Sequence, residues 1–458
     1  MLAAVAAMVL APSPWEREIV YQIFPRSFRD SNGDRHGDLK GITHSLDHLK
    51  ELGVTTILLN PIAASPNYHN YFADDFLRID PEFGTDADLR TLCRQAHQRG
   101  LKVLLDMEPQ YVTDRHRWIR EGRRDYVWTT GSWLWDIDLP WYDGAKVRVA
   151  AINPSHPHVR RHVTDAFLKW ARLGVDGYRI DHMMDDLDNK RVKTDLLAGF
   201  WRPLVSEVKR KYPGTFFVAE QADWGYGEAE MRRGGADAAY AIPLGVAIQT
   251  MDPAKIRAAI AGTAKATPVG KTQLLFAENH DLDRIASLGN PGQARLAMAL
   301  TFALKGTPML YYGQELGMRG KKGPGSTDGT DIPRRLAYEW SRRREAKGMA
   351  IWYRDTGPWW NNLYMKDGDG ISVEEQRNGP DFSMWKFTKL LIQRRRNSQA
   401  LSFGEHRLVE TSNPNLIVVE RFTPSESVTF VANFSGEFQT LPTKEGTTRF
   451  GPWSCRFL

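Results

Sequence analysis

The stretch LLDMEPQYVTD, residues 104–114, settles most of the architecture. Two apolar residues, Leu104 and Leu105, run into Asp106 and Glu108, then into Gln110 and Tyr111. A buried strand that ends this way delivers acids and amides to an open edge, since a buried polar group without a partner costs roughly 2–7 kcal/mol. The same pattern recurs along the chain. Strands are predicted near 18–25, 55–61, 102–108, 177–183, 215–221, 238–244, 272–280 and 308–315. Helical stretches are predicted over 39–52, 86–100, 157–173, 191–211, 253–265 and 293–305. Short apolar strands alternating with helices predict an α/β fold, a (β/α)8 TIM barrel.

Two parts depart from that alternation. No helix promptly follows the third strand, and residues 109–153 read as an irregular, Trp-rich subdomain inserted over the barrel mouth. A second irregular stretch covers 316–380. The helix DFSMWKFTKLLIQRRRN, residues 381–397, is followed by the alternating runs LIVVERF, SVTFVANFS and TRFGPWSCRFL. These predict a C-terminal antiparallel β-sandwich over 399–458. The catalytic barrel then comprises 15–108 and 154–398. Residues 1–14, MLAAVAAMVLAPSP, read either as the remnant of a signal peptide or as an N-terminal extension. The first reading implies a periplasmic or secreted protein, the second a cytoplasmic one.

Composition excludes several classes. The 42% hydrophobic and 25% charged residues of the 458-residue chain fit an ordinary globular protein. No apolar run reaches bilayer length. The net charge of +6 is scattered apart from SRRREAK and QRRRN, which read as solvated helix faces, so no nucleic-acid partner is expected. Two cysteines provide no disulfide framework or zinc spacing. Several of the fifteen Trp lie between Tyr126 and Tyr142, where flat aromatic faces suit sugar rings or a core. A monomer and a dimer are both compatible with these features.

Barrel enzymes build their sites at the C-terminal ends of the strands. Those ends carry Asp106, then Arg179, Asp181 and His182, then Glu220, then Asn279, His280 and Asp281. Any one acid alone reads as an ion-pair partner; the convergent set reads as a site. Three carboxylates (Asp181, Glu220 and Asp281) around one mouth suggest glycoside chemistry. Retaining hydrolysis needs a carboxylate nucleophile and a second, protonated carboxyl about 5–5.5 Å away. Arg179 shares a strand face with Asp181 and would keep it ionised. Glu108 reads as a structural acid.

These residues resemble the α-amylase family of glycoside hydrolases (family 13) over nearly the whole chain. GVDGYRIDH resembles the family's nucleophile strand, FFVAEQ its acid/base strand, and FAENHD its Asn-His-Asp strand end. VYQIFPRSF, LNPIAASPNYHNY, GTPMLYYGQELG and INPSHPHV also match family text. The resemblance implies Asp181 as nucleophile, Glu220 as acid/base and Asp281 as transition-state stabiliser. It also implies Tyr71, Asp106, Tyr111, Arg179, His182 and His280 as substrate-binding groups, with Tyr71 stacking on the sugar. The implied activity is cleavage of α-glucosidic bonds in α-glucans or maltooligosaccharides through a covalent glycosyl-aspartate. The alternatives are a transglycosylase, glucanotransferase or isomerase on the same scaffold, or a non-catalytic sugar-binding member.

The loop DSNGDRHGD sets oxygen side chains at Asp30, Asn32, Asp34 and Asp38, which suits a structural Ca²⁺ or Mg²⁺. Gly41 at the twelfth position rules out an EF-hand. The chain leaves the family pattern at two places. Gln110-Tyr111 stands where relatives carry Asn-His, and Asn70-Tyr71-Phe72 stands where they carry Gly-Tyr-Asp. Phe72 lacks the acid that seals the pocket of exo-acting members, so a more open cleft is expected.

Overall fold

The computed structural model describes residues 13–128, 135–138, 146–186, 195–325, 327–354, 357–443 and 446–458. Eight parallel strands close on themselves: β1 (Val20–Ile23), β2 (Thr56–Leu59), β3 (Lys102–Met107), β4 (Gly177–Ile180), β5 (Phe216–Ala219), β6 (Ala238–Tyr240), β7 (Thr272–Leu275) and β8 (Thr307–Tyr311). Each strand pairs with its sequence neighbours, and β8 closes on β1. All eight are almost wholly buried, as a parallel sheet covered on both faces requires. Val20, Leu58, Leu104, Phe216, Val218, Tyr240, Leu274 and Met309 fill the barrel's interior. Trp15 stacks on Phe216 with ring centroids 3.7 Å apart and joins that interior core.

Several strands end sooner than expected. β7 stops at Leu275 rather than 280, and β4 at Ile180 rather than 183. The polar residues beyond leave the ladder and turn over the mouth. β6 was expected to run to 244, but Ile242–Gln249 is a helix with Pro243 in its first turn. Its apolar residues lie all round it, so it presents no stripe for periodicity to detect. The predicted helix 39–52 is two helices, Leu39–His44 and Leu46–Leu52. They are separated at Ser45, whose hydroxyl donates to the Gly41 carbonyl at 2.8 Å.

The insert is not irregular. Tyr111–Thr113, Val127–Trp128 and Trp135–Asp138 all pair antiparallel with Lys146–Ile152. Three of these strands have only two to four residues, too short for a period of two to show. Tyr111 pairs with Ala151, so the tip of β3 passes directly into this small sheet. The remainder of the Trp-rich stretch, the N-terminal twelve residues and the start of the predicted helix 191–211 lie outside the described residues.

The C-terminal domain is a four-stranded antiparallel sheet of Glu405–Val409, Leu416–Phe422, Ser427–Asn433 and Ser454–Phe457, with a separate hairpin over Gln439–Thr443 and Gly446–Phe450. Buried Arg421 fastens it to the barrel, and buried Arg395 holds the preceding helix Met384–Asn397 to the barrel. Arg421 donates to the Ala303, Leu304 and Gly404 carbonyls at 2.7–3.0 Å. Arg395 donates to those of Phe302, Leu304, Gly306 and Glu16. Among the described residues no helix is long and apolar enough to cross a membrane.

Candidate active site

Arg179 is the centre of the barrel mouth. It is fully buried on β4, in register with Asp106 of β3 and Val218 of β5. Its Nη1 donates to both oxygens of Asp106 at 2.8 Å and to Asp181 Oδ1 at 2.5 Å. Its Nη2 lies 3.7 Å from Glu220 Oε2. One guanidinium therefore touches three carboxyl groups that arrive from three adjacent strands. The period-two alternation of a strand puts Arg179 and Asp181 on one face, as the sequence implied.

A second group is built around Tyr71. Its hydroxyl donates to Asp106 Oδ2 at 2.7 Å and lies 2.6 Å from His280 Nε2. Gln22 Nε2 stands 3.0 Å from His280 Nδ1, so Nδ1 is the acceptor and Nε2 carries the hydrogen. His280 thus donates to the Tyr71 hydroxyl, to which Asn60 Nδ2 also donates at 2.8 Å. The Tyr71 and His280 rings are nearly parallel, with centroids 5.4 Å apart. Asp281 Oδ2 is 3.2 Å from His280 Nε2, and its Oδ1 accepts from Arg335 Nη2 at 3.1 Å. Arg335 is held in turn by the Tyr68 hydroxyl at 2.8 Å and the His280 carbonyl at 3.0 Å.

The charges separate the acids into two kinds. Burial alone would raise Asp181, but the Arg179 charge, with that of His182, outweighs it and holds Asp181 far below the usual carboxylate range. Asp281 is also lowered, because His280 and Arg335 outweigh its burial. Glu220 is raised by burial, reinforced by the nearby Asp181 charge, in spite of Arg179. Burial pushes the His280 imidazole down to about 3, so it is neutral at physiological pH. The mouth therefore sets carboxyls whose proton affinities are pushed in opposite directions side by side, the pattern from which an acid and a nucleophile are told apart.

The backbone beyond Asp181 is strained. His182 has φ of +49°, a left-handed conformation that costs a non-glycine residue roughly 1–3 kcal/mol. Gln110 stabilises it: its side-chain amide donates to the His182 carbonyl and, at 3.4 Å, to that of Asp181. The His182 N–H donates to Glu220 Oε2 at 2.9 Å. One strained turn thus links the expected nucleophile to the expected acid.

A cavity of about 440 Å³ opens over this cluster. Of the nine expected site residues, Tyr71, Tyr111, Asp181, His182, Glu220, His280 and Asp281 line it. Asp106 and Arg179 stand behind its wall. Sequence reasoning missed Trp224, Asp328, Asp331 and Arg335, which also line it. The last three come from the irregular stretch after β8, where no periodicity or strand end marks them. Phe72 is half-buried at the wall against Tyr111, with ring centroids 6.3 Å apart. An acid still reaches this side: Asp328 accepts from Asn67 Nδ2 at 2.7 Å and lies 2.8 Å from His69 Nε2.

The expected cation ligands line no part of that cavity. Asp30 Oδ1 accepts from the Asn32 and Gly33 N–H groups at 2.9 and 2.7 Å, and Asp34 Oδ1 from His36 N–H at 2.8 Å. Asp38 caps the following helix through the Gly41 N–H at 2.7 Å. Three carboxylates and one amide oxygen are the donors a hard cation takes, although Asp30 Oδ1 and Asp38 Oδ1 each already accept two hydrogen bonds. The donor chemistry fits. The three acids do not by themselves form a cage: among the described residues only Glu108, Asp181 and His182 bring acid or imidazole ligand atoms within 4.8 Å of one another.

Fold and mouth define a (β/α)8 enzyme with a carboxyl-rich site at the C-terminal ends of its strands. The family model for the α-amylase catalytic domain matches residues 22–138 and 237–404. Alpha-amylase 3 of Dictyoglomus thermophilum is 28% identical over 92% of this chain and 86% of its own length. Oligo-1,6-glucosidase of Bacillus cereus is 25% identical over 92% and 91%. The solved trehalulose synthase MutB from Pseudomonas mesoacidophila MX-45 superposes with a TM-score of 0.81 at 21% identity, covering 97% of this chain and 98% of its own. The chain belongs to the α-amylase family and is a glycoside hydrolase.

Proposed function

We propose that the protein cleaves α-glucosidic bonds of α-glucans or maltooligosaccharides with retention of configuration. The observation that carries this is Arg179, which touches two carboxyls of opposite character, Asp181 held well below and Glu220 pushed above the usual carboxylate range. In the first step the Asp181 carboxylate attacks the anomeric carbon. Glu220 gives its proton to the departing glycosidic oxygen, which leaves with the bonding pair. In the second step Glu220 takes a proton from water, the water oxygen attacks the same carbon, and Asp181 leaves as carboxylate. Asp281, ionised beside Arg335, and neutral His280 face the ring and hydrogen-bond its hydroxyls. The relatives named α-amylase and oligo-1,6-glucosidase support the substrate class.

Starch, maltooligosaccharides, cyclodextrin, pullulan, isomaltose and sucrose, resolved by thin-layer chromatography, test the reading. New reducing ends are expected on at least one α-glucan. If glucosyl groups only move between sugars, the transfer reading holds instead. One observation favours that second reading: Trp224 lines the cavity 47% exposed, an open face on which an acceptor sugar would stack.

The loop 30–38 is proposed to hold a structural Ca²⁺ or Mg²⁺ through Asp30, Asn32, Asp34 and Asp38. The ion would offset two of the three acids' charges and stiffen the entry to helix Leu39–His44, with no part in the reaction.

A further inference from the structure

Glu108 leaves β3 two residues after Asp106 and is 5% exposed. Its Oε1 accepts the Gln110 N–H at 2.8 Å. Its Oε2 is buried and receives no hydrogen bond. This oxygen lies 3.7 Å from His182 Nδ1, which also has no hydrogen-bond partner. Ligand atoms of Glu108, Asp181 and His182 all lie within 4.8 Å of one another. Two carboxyl groups in such contact do not both ionise. Arg179 decides between them: it bonds Asp181 at 2.5 Å, whereas no hydrogen bond joins it to Glu108. A proton on Oε2 turns the orphaned atom into a donor aimed at the Asp181 carboxylate. Burial and the Asp181 charge both keep that proton in place.

We propose that Glu108 is a positioning residue for the nucleophile: as a neutral acid it donates a hydrogen bond to Asp181 and shares that carboxylate's charge in both displacement steps. The proposal rests on Asp181 being the nucleophile. Glu108 keeps its proton throughout. As the Asp181–carbon bond forms, the hydrogen bond weakens with the loss of charge. As that bond breaks, the hydrogen bond strengthens on the returning carboxylate. Its larger effect is therefore on departure of Asp181 from the glycosyl-enzyme. Together with the Arg179 hydrogen bond to Oδ1, this bond holds the Asp181 carboxylate in one orientation.

The test compares E108Q and E108V using an aryl α-glucoside with an activated leaving group. In E108V, kcat is expected to fall about tenfold or more, the size of one lost hydrogen bond to a charged group. kcat/KM should fall less, and a burst of aryl alcohol should appear as glycosyl-enzyme accumulates. E108Q keeps a donor at the same reach and should stay within about threefold of wild type on both constants. Difference infrared spectra at pH 7 should show one protonated carboxyl band lost in E108Q. The proposal is overturned if that band is not lost, or if folded E108V keeps wild-type kcat without a burst. Should E108V fail to fold, the E108Q spectrum decides alone. Asp181→Asn is the control for the underlying reading: if it is as active as wild type, the nucleophile assignment itself has failed. If it is inactive while the Glu108 results are negative, only the present proposal falls.

Discussion

The Gln110 side chain reaches back to the carbonyl of a strained histidine and thereby fixes the residue before it, Asp181. The expected residue pair at this position was Asn-His, and the substitution has two consequences of different kinds. Gln110 is a backbone clamp. Gln110→Ala should release the His182 turn, lowering kcat/KM by about 10²-fold, the usual cost of misplacing a reacting group by roughly 1 Å. Unchanged kinetics in a folded variant would contradict this. Tyr111, 2% exposed, is wall, edge-on to the His182 ring at 6.0 Å between centroids. Its ring replaces an imidazole donor, so Tyr111→His should change the ratio of kcat/KM between glucosides with and without a free primary hydroxyl, and equal ratios would refute it. Arg335 lies outside every pattern in the sequence but supports Asp281. Arg335→Ala should lower kcat by about 10²–10³-fold, as loss of a charge-stabilising group does, and Arg335→Lys should restore part of it. The acids at strand ends were legible because buried strands leave few other places for a carboxylate. Arg335 and Asp328 were not, since they lie in and just after the short 3-10 helix Asp328–Arg334, whose position is set by tertiary contacts.

At the scale of elements, the barrel strands were read from short apolar runs and the C-terminal strands from alternation. Boundaries failed where physics beyond periodicity intervened. Strand ends turned early to carry acids over the mouth, and Ile242–Gln249 hid as a helix because every face of it is apolar. The insert's strands were invisible for want of length. The join between barrel and C-terminal sheet draws on the Arg421 guanidinium, which is not visible as a joint in the sequence. Arg421→Met would take this donor from the Ala303 and Gly404 carbonyls, while Leu304 keeps Arg395, and should cost about 2 kcal/mol or more. A thermal melt checks this. A lower Tm with ordinary kcat at moderate temperature is expected, because no Arg421 contact reaches the mouth.

The whole molecule carries several acids whose burial favours the neutral form. Burial, with the charge of Asp369, pushes Glu339 up to about 8. Burial pushes Glu16 and Glu230 up to about 7. Unfolded, these groups titrate near pH 4.3. Between that pH and 7–8 the folded state holds protons the unfolded state has lost, so stability from these groups is complete below about pH 4.3 and lost as pH rises through 7–8. Tm should fall from pH 6 to 9, and Glu339→Gln should flatten that slope; an unchanged slope would refute the assignment. Chelation gives a second whole-molecule test. If the loop 30–38 holds a cation, EDTA should lower Tm, added Ca²⁺ should restore it, and Asp34→Ala should abolish the difference.

The central claim is that Asp181 forms a covalent bond with the sugar while Glu220 supplies and recovers the proton. The most direct measurement is peptide mass spectrometry of the enzyme after brief exposure to 5-fluoro-α-glucosyl fluoride, a substrate whose glycosyl-enzyme breaks down slowly. One fluoroglucosyl group on the peptide that contains Asp181, absent from Asp181→Asn, is the predicted result. A turnover-competent enzyme with no adduct, or with the label on another carboxylate, would contradict the account.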